Sequence, residues 1–432
     1  MSPEGNARRG DPARGSLRFA VLQVGARMHY AIPALLKRAG MLGHFYTDAV
    51  GNLGLTGALG RFVPAWLRPA PLNRLFGRRL PAEILPADVT AAQGLTMVDG
   101  FFKSLSSNPA WRDAAPDALR RQMIADDFRG ANALYCLDPG DLDLIRAAKR
   151  RGMVVVYEQV IAPQVGRIMR QERARFPGFE VQDAESFVEE GIAADREVWE
   201  LADLVLAPSE FVRRGMLELG ARPENIALVP YGLPEHWFGA LEAKPVPGRV
   251  LFVGGVGLRK GNQYLAEAGR ILAARGVSVD LRVVGPYDAK QIASAPFSGP
   301  TYAGQVPRSQ VREEFLRADV FAFPTLAEGF ALAHLEAMAC GVPVVTTPNC
   351  GPAVREGQDG FVIPPRDAVA LADRIELIVS DSALRQRMGQ SAKARAAEYT
   401  WGAYQDHLLA TLESLNTDRV ERRGMRGAAL AA

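Results

Sequence analysis

The sequence predicts an α/β protein in which parallel strands alternate with crossover helices, and three stretches predict it. Residues 17–38 read as an apolar run, a glycine turn and a helix. Residues 249–275 repeat that order around Gly254-Gly255-Val256-Gly257-Leu258-Arg259-Lys260-Gly261. Residues 320–347 read strand, helix, strand. Parallel strands that follow one another in a chain need such a crossover. A length of 432 residues gives room for two or three domains.

Lys and Arg total 51 against 48 Asp and Glu, a near balance that does not call for a nucleic-acid partner. The three cysteines, Cys136, Cys340 and Cys350, lack metal-ligand spacing, and so sparse a count fits a reducing, cytoplasmic setting. The five histidines form no paired metal motif. Residues 1–15 are polar and rich in Gly, Pro and Arg, with no apolar core behind them, so they read as a disordered extension without a secretion signal. No apolar run reaches membrane-spanning length.

Leu17–Val24 is the first expected strand, ended by Gly25-Ala26-Arg27, and Tyr30–Arg38 is the helix after it. Ligands bind beyond the carboxyl ends of such strands, and Gly25 permits close backbone approach there. His29 lies nearby and reads first as structural. Residues 53–80 contain no acidic residue and interleave Arg61, Arg68, Arg74, Arg78 and Arg79 with apolar side chains at helical spacing. Pro64, Pro69 and Pro71 interrupt that face. The stretch reads as a cover over the first domain, or as a peripheral contact with anionic lipid on the inner membrane face.

Ala133–Leu137 is a strand, Asp138-Pro139-Gly140 a turn, and Asp141 the expected cap of a helix to Arg151. Asp141-Leu142-Asp143 spells Asp-x-Asp, but its place at a helix start reads as capping, so no metal is expected. Met153–Val156 is a buried strand followed by Tyr157-Glu158-Gln159. Ala184–Leu201 is a long acidic helix, Leu204–Ala207 a strand, and Ser209 the cap of the next helix. Ile226–Val229 is another strand, and Glu242–Gly248, with two prolines, is the expected linker.

Beyond it, Arg249–Val253 leads into the glycine turn and a helix over 263–275, an order suited to phosphate. The turn is neither the dinucleotide G-x-G-x-x-G, since Lys260 takes the last place, nor a P-loop, since its order is Lys-Gly. Asp280–Val284 is a strand ending at Gly285-Pro286. Val320–Phe323 is a strand, and Glu328-Gly329-Phe330 is expected to open the helix that holds Glu336. That places the Gly329, Phe330 and Ala331 amides in its first turn, where N–H groups lack partners. Gly341 caps the helix and Pro343 bars its continuation. Taken singly, Glu328 could be a cap and Glu336 a solvated side chain. Residues 368–397 read as one helical stretch.

Glu328-Gly329-Phe330 through Glu336, followed by Ala337-Met338-Ala339-Cys340-Gly341-Val342-Pro343-Val344-Val345, resembles the paired-glutamate motif of retaining glycosyltransferases of the GT-B fold, closest to glycosyltransferase family 4. The likeness is close in the C-terminal half and loose in the N-terminal half. It implies two Rossmann-like doubly wound domains facing a cleft. An acceptor-binding domain would span 16–241 and a nucleotide-sugar-binding domain 248–398. A helix over 399–416 would return to the first domain, leaving 417–432 as a loose tail.

The resemblance also implies roles. The donor is a nucleoside-diphosphate sugar and the acceptor a saccharide or lipid-linked hydroxyl, with no metal or other cofactor. Glu328 would bind sugar hydroxyls and Glu336 the ribose, while Lys260 would contact the diphosphate. The family arginine after the first glycine is Gly255 here, and Arg259 is its candidate substitute. Val306, in Tyr302-Ala303-Gly304-Gln305-Val306, would meet the nucleobase through its backbone. Gly25, Gly329, Phe330, Ala331 and Leu332 complete the donor set. The family histidine after the 153–156 strand is missing, and Glu158 or Gln159 stands in its place. The rival readings are a non-catalytic sugar-nucleotide-binding protein, a sugar isomerase on the same fold, and a dinucleotide-dependent oxidoreductase.

Overall fold

The computed structural model describes residues 16–54, 56–57, 76–96, 114–239, 243–351 and 353–431. The expected extension at 1–15 and most of the arginine-aromatic stretch 53–80 lie outside them. Among the described residues no helix is long and apolar enough to cross a membrane.

In chain order the first part of the fold is β1 (Phe19–Leu22), α1 (Ala31–Arg38), β2 (Leu42–Thr47), β3 (Val89–Ala91), α2 (Ala114–Ala125), β4 (Ala133–Cys136), α3 (Leu142–Arg150), β5 (Val154–Glu158), α4 (Val165–Arg175), α5 (Glu185–Leu201), β6 (Leu204–Ala207), α6 (Glu210–Glu218) and β7 (Ile226–Leu228). Every residue of β1, β4, β5 and β6 is buried, the pattern of strands covered on both faces. They form one sheet in the order β3-β2-β1-β4-β5-β6-β7. The pairs β1·β2, β1·β4, β2·β3 and β4·β5 are parallel.

The second part is β8 (Arg249–Val253), α7 (Asn262–Ala274), β9 (Asp280–Val284), α8 (Ala289–Ile292), β10 (Thr301–Gly304), α9 (Arg308–Leu316), β11 (Val320–Phe323), α10 (Leu332–Ala339), β12 (Val344–Thr346), β13 (Gly360–Val362), α11 (Ala368–Ser380), α12 (Ser382–Ala396) and α13 (Trp401–Ala431). The sheet order is β10-β9-β8-β11-β12-β13, and all five pairings are parallel. Both sheets are thus doubly wound, with the strand order reversing after β1 and after β8. In the second, Phe323 stacks with both Phe252 and Phe321 in a fully buried core.

By its internal contacts the chain divides into two compact units. The first runs to Glu158 and adds Glu197–Val205 and the chain from Leu409 onward; the second holds Gln159–Arg196 and Leu206–Leu408. The last helix therefore passes from the second unit into the first. Within the second unit α4 is clamped to α7 by Glu172, whose side chain is fully buried. Gln263 Nε2 and Tyr264 OH donate to its Oε1 at 2.9 and 2.6 Å, and Arg366 Nε donates to Oε2 at 2.7 Å. Breaking such a buried, fully paired ion pair typically costs about 3–5 kcal/mol.

Several expectations are corrected here. Asp141 does not cap α3 with its side chain; the carboxylate is buried and paired with Arg120 at 2.8 Å, and burial raises its pKa to about 6. Asp138 accepts from the Gly140 amide instead. The 368–397 stretch is two helices, because Asp381 adopts extended dihedrals and caps the second through Leu384 N. The final helix continues to Ala431, through residues read as a tail.

Candidate functional site

In a doubly wound sheet, ligands sit beyond the carboxyl ends of the strands where the order reverses. For the second sheet those strands are β8 and β11. The chain leaving β8 makes the glycine turn and a short 3-10 helix, Leu258–Lys260. The chain leaving β11 makes the loop 324–331. The two are tied by Leu326 N to Arg259 O (2.8 Å) and Thr325 Oγ1 to Arg259 O (3.0 Å). Gly261, at φ +76°, backs onto Pro324, and a Cβ there would meet Pro324 O at 1.9 Å. Only glycine fits both the dihedral and the gap.

This docking brings three predicted residues together. Arg259 Nη1 and Lys260 Nζ lie 2.7 and 2.5 Å from the same Glu328 oxygen, Oε1. Arg259 also donates to Ala327 O at 2.8 Å, and Lys260 Nζ stands 5.1 Å from the Phe323 ring centroid. Burial lowers the Lys260 pKa; Glu328 pulls it back up and Arg259 presses it down again. The cluster is a cation pair sharing one carboxylate, in a partly dehydrated place where charge interactions are stronger than in water.

The loop before α10 departs from the sequence expectation. The helix begins at Leu332 rather than at Glu328. Glu328 N donates to Asn349 O and Ala331 N to Cys350 O, so Ala331 is not a free donor. Asn349 Nδ2 adds a bond to Leu326 O. The Gly329, Phe330, Leu332 and Ala333 amides have no hydrogen-bond partner among the described residues. Gly329 is wedged against the chain segments after β5 and β6: a Cβ would meet Val160 O at 1.9 Å, and its carbonyl accepts from Ser209 Oγ at 2.6 Å. The expected Ser209 cap is present, through Val212 N at 3.3 Å.

The glycine turn is also less open than its composition implies. Asn262 Oδ1 accepts from Gly257 N at 3.1 Å, and Glu180 Oε1, from the α4–α5 connection, accepts from Leu258 N at 2.9 Å. Val256 N is taken by Pro286 O. Gly255 N keeps no partner among the described residues.

Glu336 lies within α10, its side chain 11% exposed, with Arg308 Nη2 3.9 Å away. Burial raises its pKa from 4.5 to about 6, against a smaller opposite pull from Arg308. Arg308 is 65% exposed, so burial wins. Val306, two residues before α9, is half-buried against the second core. Because the folded pKa is raised, the stabilisation from protonated Glu336 is complete below pH 4.5 and lost as pH rises through about 6. Glu336→Gln should therefore stabilise the ligand-free protein at pH 8 by up to about 2 kcal/mol, shrinking toward pH 5. Thermal unfolding at both pH values reads this, and an equal gain at both would reject it.

Glu158 and Gly25 belong to the first unit. Glu158 is 2% exposed and accepts from Tyr135 OH at 2.5 Å. Gly25 has φ +77°, and its N–H donates to Asp48 Oδ1 at 2.9 Å. The contributions of Asn349, Glu180 and Arg308 carried no motif in the sequence. A separate cavity of about 550 Å³ lies at the amino ends of β9 and β10, walled partly by Arg270, Asp280 and Thr301, and none of the predicted site residues lines it.

Residues 235–395 match the family model described as Glycosyl transferases group 1. A D-inositol 3-phosphate glycosyltransferase of Kineococcus radiotolerans is 25% identical over 54% of this chain and 62% of its own length. One from Nocardia farcinica is 27% identical over 76% of this chain and 82% of its own. The chain spans 62%, 41% and 39% of the length of three such relatives. Among solved structures, Anabaena HepE in complex with UDP and glucose superposes with a TM-score of 0.62 at 16% identity, covering 92% of this chain and all of that one. The fold is thus that of the two-domain GT-B proteins, and the likeness to the glycosyl transferases group 1 family lies in residues 235–395.

Proposed function

We propose that this protein is a retaining glycosyltransferase that moves a sugar from a nucleoside diphosphate to an acceptor hydroxyl in glycan assembly. The observation that carries the reading is the meeting of Arg259, Lys260 and Glu328 at the switch point of the second sheet. In this reading Glu328 binds hydroxyls of the donor sugar, and Lys260 with Arg259 takes the charge of the departing diphosphate. The bond from the anomeric carbon to the phosphate oxygen breaks with its electron pair leaving on the diphosphate. The acceptor oxygen bonds on the same face, and its proton passes to the leaving phosphate oxygen. Cations already held by Glu328 need little rearrangement when that charge develops, which is how preorganised groups lower a barrier. Charge-assisted bonds to phosphate are the strong kind. The Gly329, Phe330, Leu332 and Ala333 amides and Gly255 N supply further donors, and Glu336 with the Val306 backbone holds the nucleoside.

The relatives named as D-inositol 3-phosphate, colanic acid and capsular polysaccharide glycosyltransferases support sugar transfer as the reaction class. The complex of Anabaena HepE with UDP and glucose supports a nucleotide-sugar donor. The acceptor is a saccharide or a lipid-linked sugar. The burial of Glu158 behind Tyr135 favours one second reading, a protein that binds the donor without transferring it.

A panel of nucleotide sugars tests both readings. At least one should raise the unfolding temperature of the purified protein, because specific binding stabilises the folded state. The same compound should release nucleoside diphosphate when acceptor is added, with the anomeric configuration kept. Stabilisation without release would leave the binding-only reading, and no stabilisation by any member would reject both.

A further inference from the structure

The loop leaving β9, Gly285-Pro286-Tyr287, lies between the glycine turn and the strand end at Gly304. Gly285 N donates to Gly304 O, and Val256 N donates to Pro286 O, both at 2.9 Å. Pro286 Cγ is 3.8 Å from where a Gly255 Cβ would stand, and Tyr287 Cε1 is 3.8 Å from that of Gly304. Tyr287 is one of the few large apolar side chains left open in this unit, at 41% exposure. Its ring meets Tyr302 edge-on, with centroids 5.8 Å apart. Tyr302 is fixed in turn by its hydroxyl bond to Phe297 O at 2.5 Å. The result is a braced aromatic ring at the carboxyl end of the sheet, beside the Gly304-Gln305-Val306 backbone and one loop away from Gly255. An open ring costs little to hold ready, since an aromatic side chain has only two torsions to fix.

We propose that Tyr287 is the platform on which the nucleobase of the donor stacks. The inference rests on the nucleotide-sugar reading above and adds to it a residue that the paired-glutamate motif does not contain. Stacking tolerates any base, because every base has a π face. Tyr287 would therefore set affinity for the nucleoside, while base identity is left to the neighbouring backbone.

The test is calorimetric titration of the full chain with UDP, GDP, ADP and inorganic pyrophosphate. The wild type should bind one or more of the nucleoside diphosphates. Tyr287→Ala should bind them about tenfold or more weakly, and Tyr287→Phe nearly as well as wild type. Pyrophosphate affinity should be the same in all three, since it has no base. The side chain is part-exposed, so the unfolding temperature of ligand-free Tyr287→Ala should match wild type. If the wild type binds a nucleoside diphosphate and Tyr287→Ala binds it equally, stacking is overturned while the nucleotide reading stands. Equal loss of pyrophosphate and nucleotide would also overturn it, because the ring would then act by shaping the glycine turn. A wild type that binds none of the nucleotides would overturn the nucleotide reading and this inference with it.

Discussion

Glu328→Ala is expected to abolish transfer, a loss of about 10³-fold or more in turnover, while the protein stays folded. The magnitude is the upper end of what a single transition-state contact supplies. Glu328 serves two partners at once, since its Oε1 lies within 2.7 Å of both Arg259 and Lys260. Removing it takes away the proposed contact to the sugar and leaves two cations side by side without their counter-ion. Like-charge repulsion should then spread them and depress the already lowered Lys260 pKa further. Glu328→Gln keeps the shape and removes the charge, so it separates hydrogen bonding to sugar from electrostatic support of the cations. The measurement is steady-state release of nucleoside diphosphate, with circular dichroism to verify folding. Near-normal turnover in Glu328→Ala would remove the residue from the site.

Lys260→Ala should lower turnover by about 10²–10³-fold, equivalent to about 2.7–4 kcal/mol of barrier. The ammonium is held against Glu328 and over the Phe323 ring, with its side chain 21% exposed. Such a place is costly for a charge unless the reaction recovers the cost, and a departing diphosphate would do so. Because the contact strengthens as the bond breaks, kcat should fall more than KM rises. The alkaline limb of the rate profile should also move with this residue. Burial lowers the Lys260 pKa, so activity that needs its proton should fade at a lower pH than for an ordinary lysine. Lys260→Arg, which stays charged, should flatten that limb. Unchanged kinetics in Lys260→Ala would reject the role.

The two doubly wound domains were legible because strand and helix signals are local. Apolar runs such as Val320–Phe323 and Leu204–Ala207 became fully buried strands, and Ser209 capped its helix as its type suggests. Gly341 and Pro343 ended α10 where expected, because neither depends on distant partners. The motif singled out Lys260 and Glu328 separately, but their direct ion pair appears only once the turns after β8 and β11 dock. What misled was the state of individual amides. The composition of the glycine turn suggests open donors, yet Glu180 and Asn262 occupy two of them. The run after Glu328 suggests helix, yet the Glu328 and Ala331 amides donate to the Asn349 and Cys350 carbonyls and hold it as a loop for one more turn.

The amino-acid sequence by itself determined the alternation of strands and helices and the residue types available for a site. The tertiary structure alone decided which carboxylates are buried, which amides stay free, and that α4 joins the second unit through Glu172. The reason is separation along the chain. Backbone propensity acts over a few residues, whereas Glu172 meets Arg366 from 194 positions away and Glu180 meets Leu258 from 78. Contacts of that span exist only after the chain has closed on itself, so no local pattern announces them.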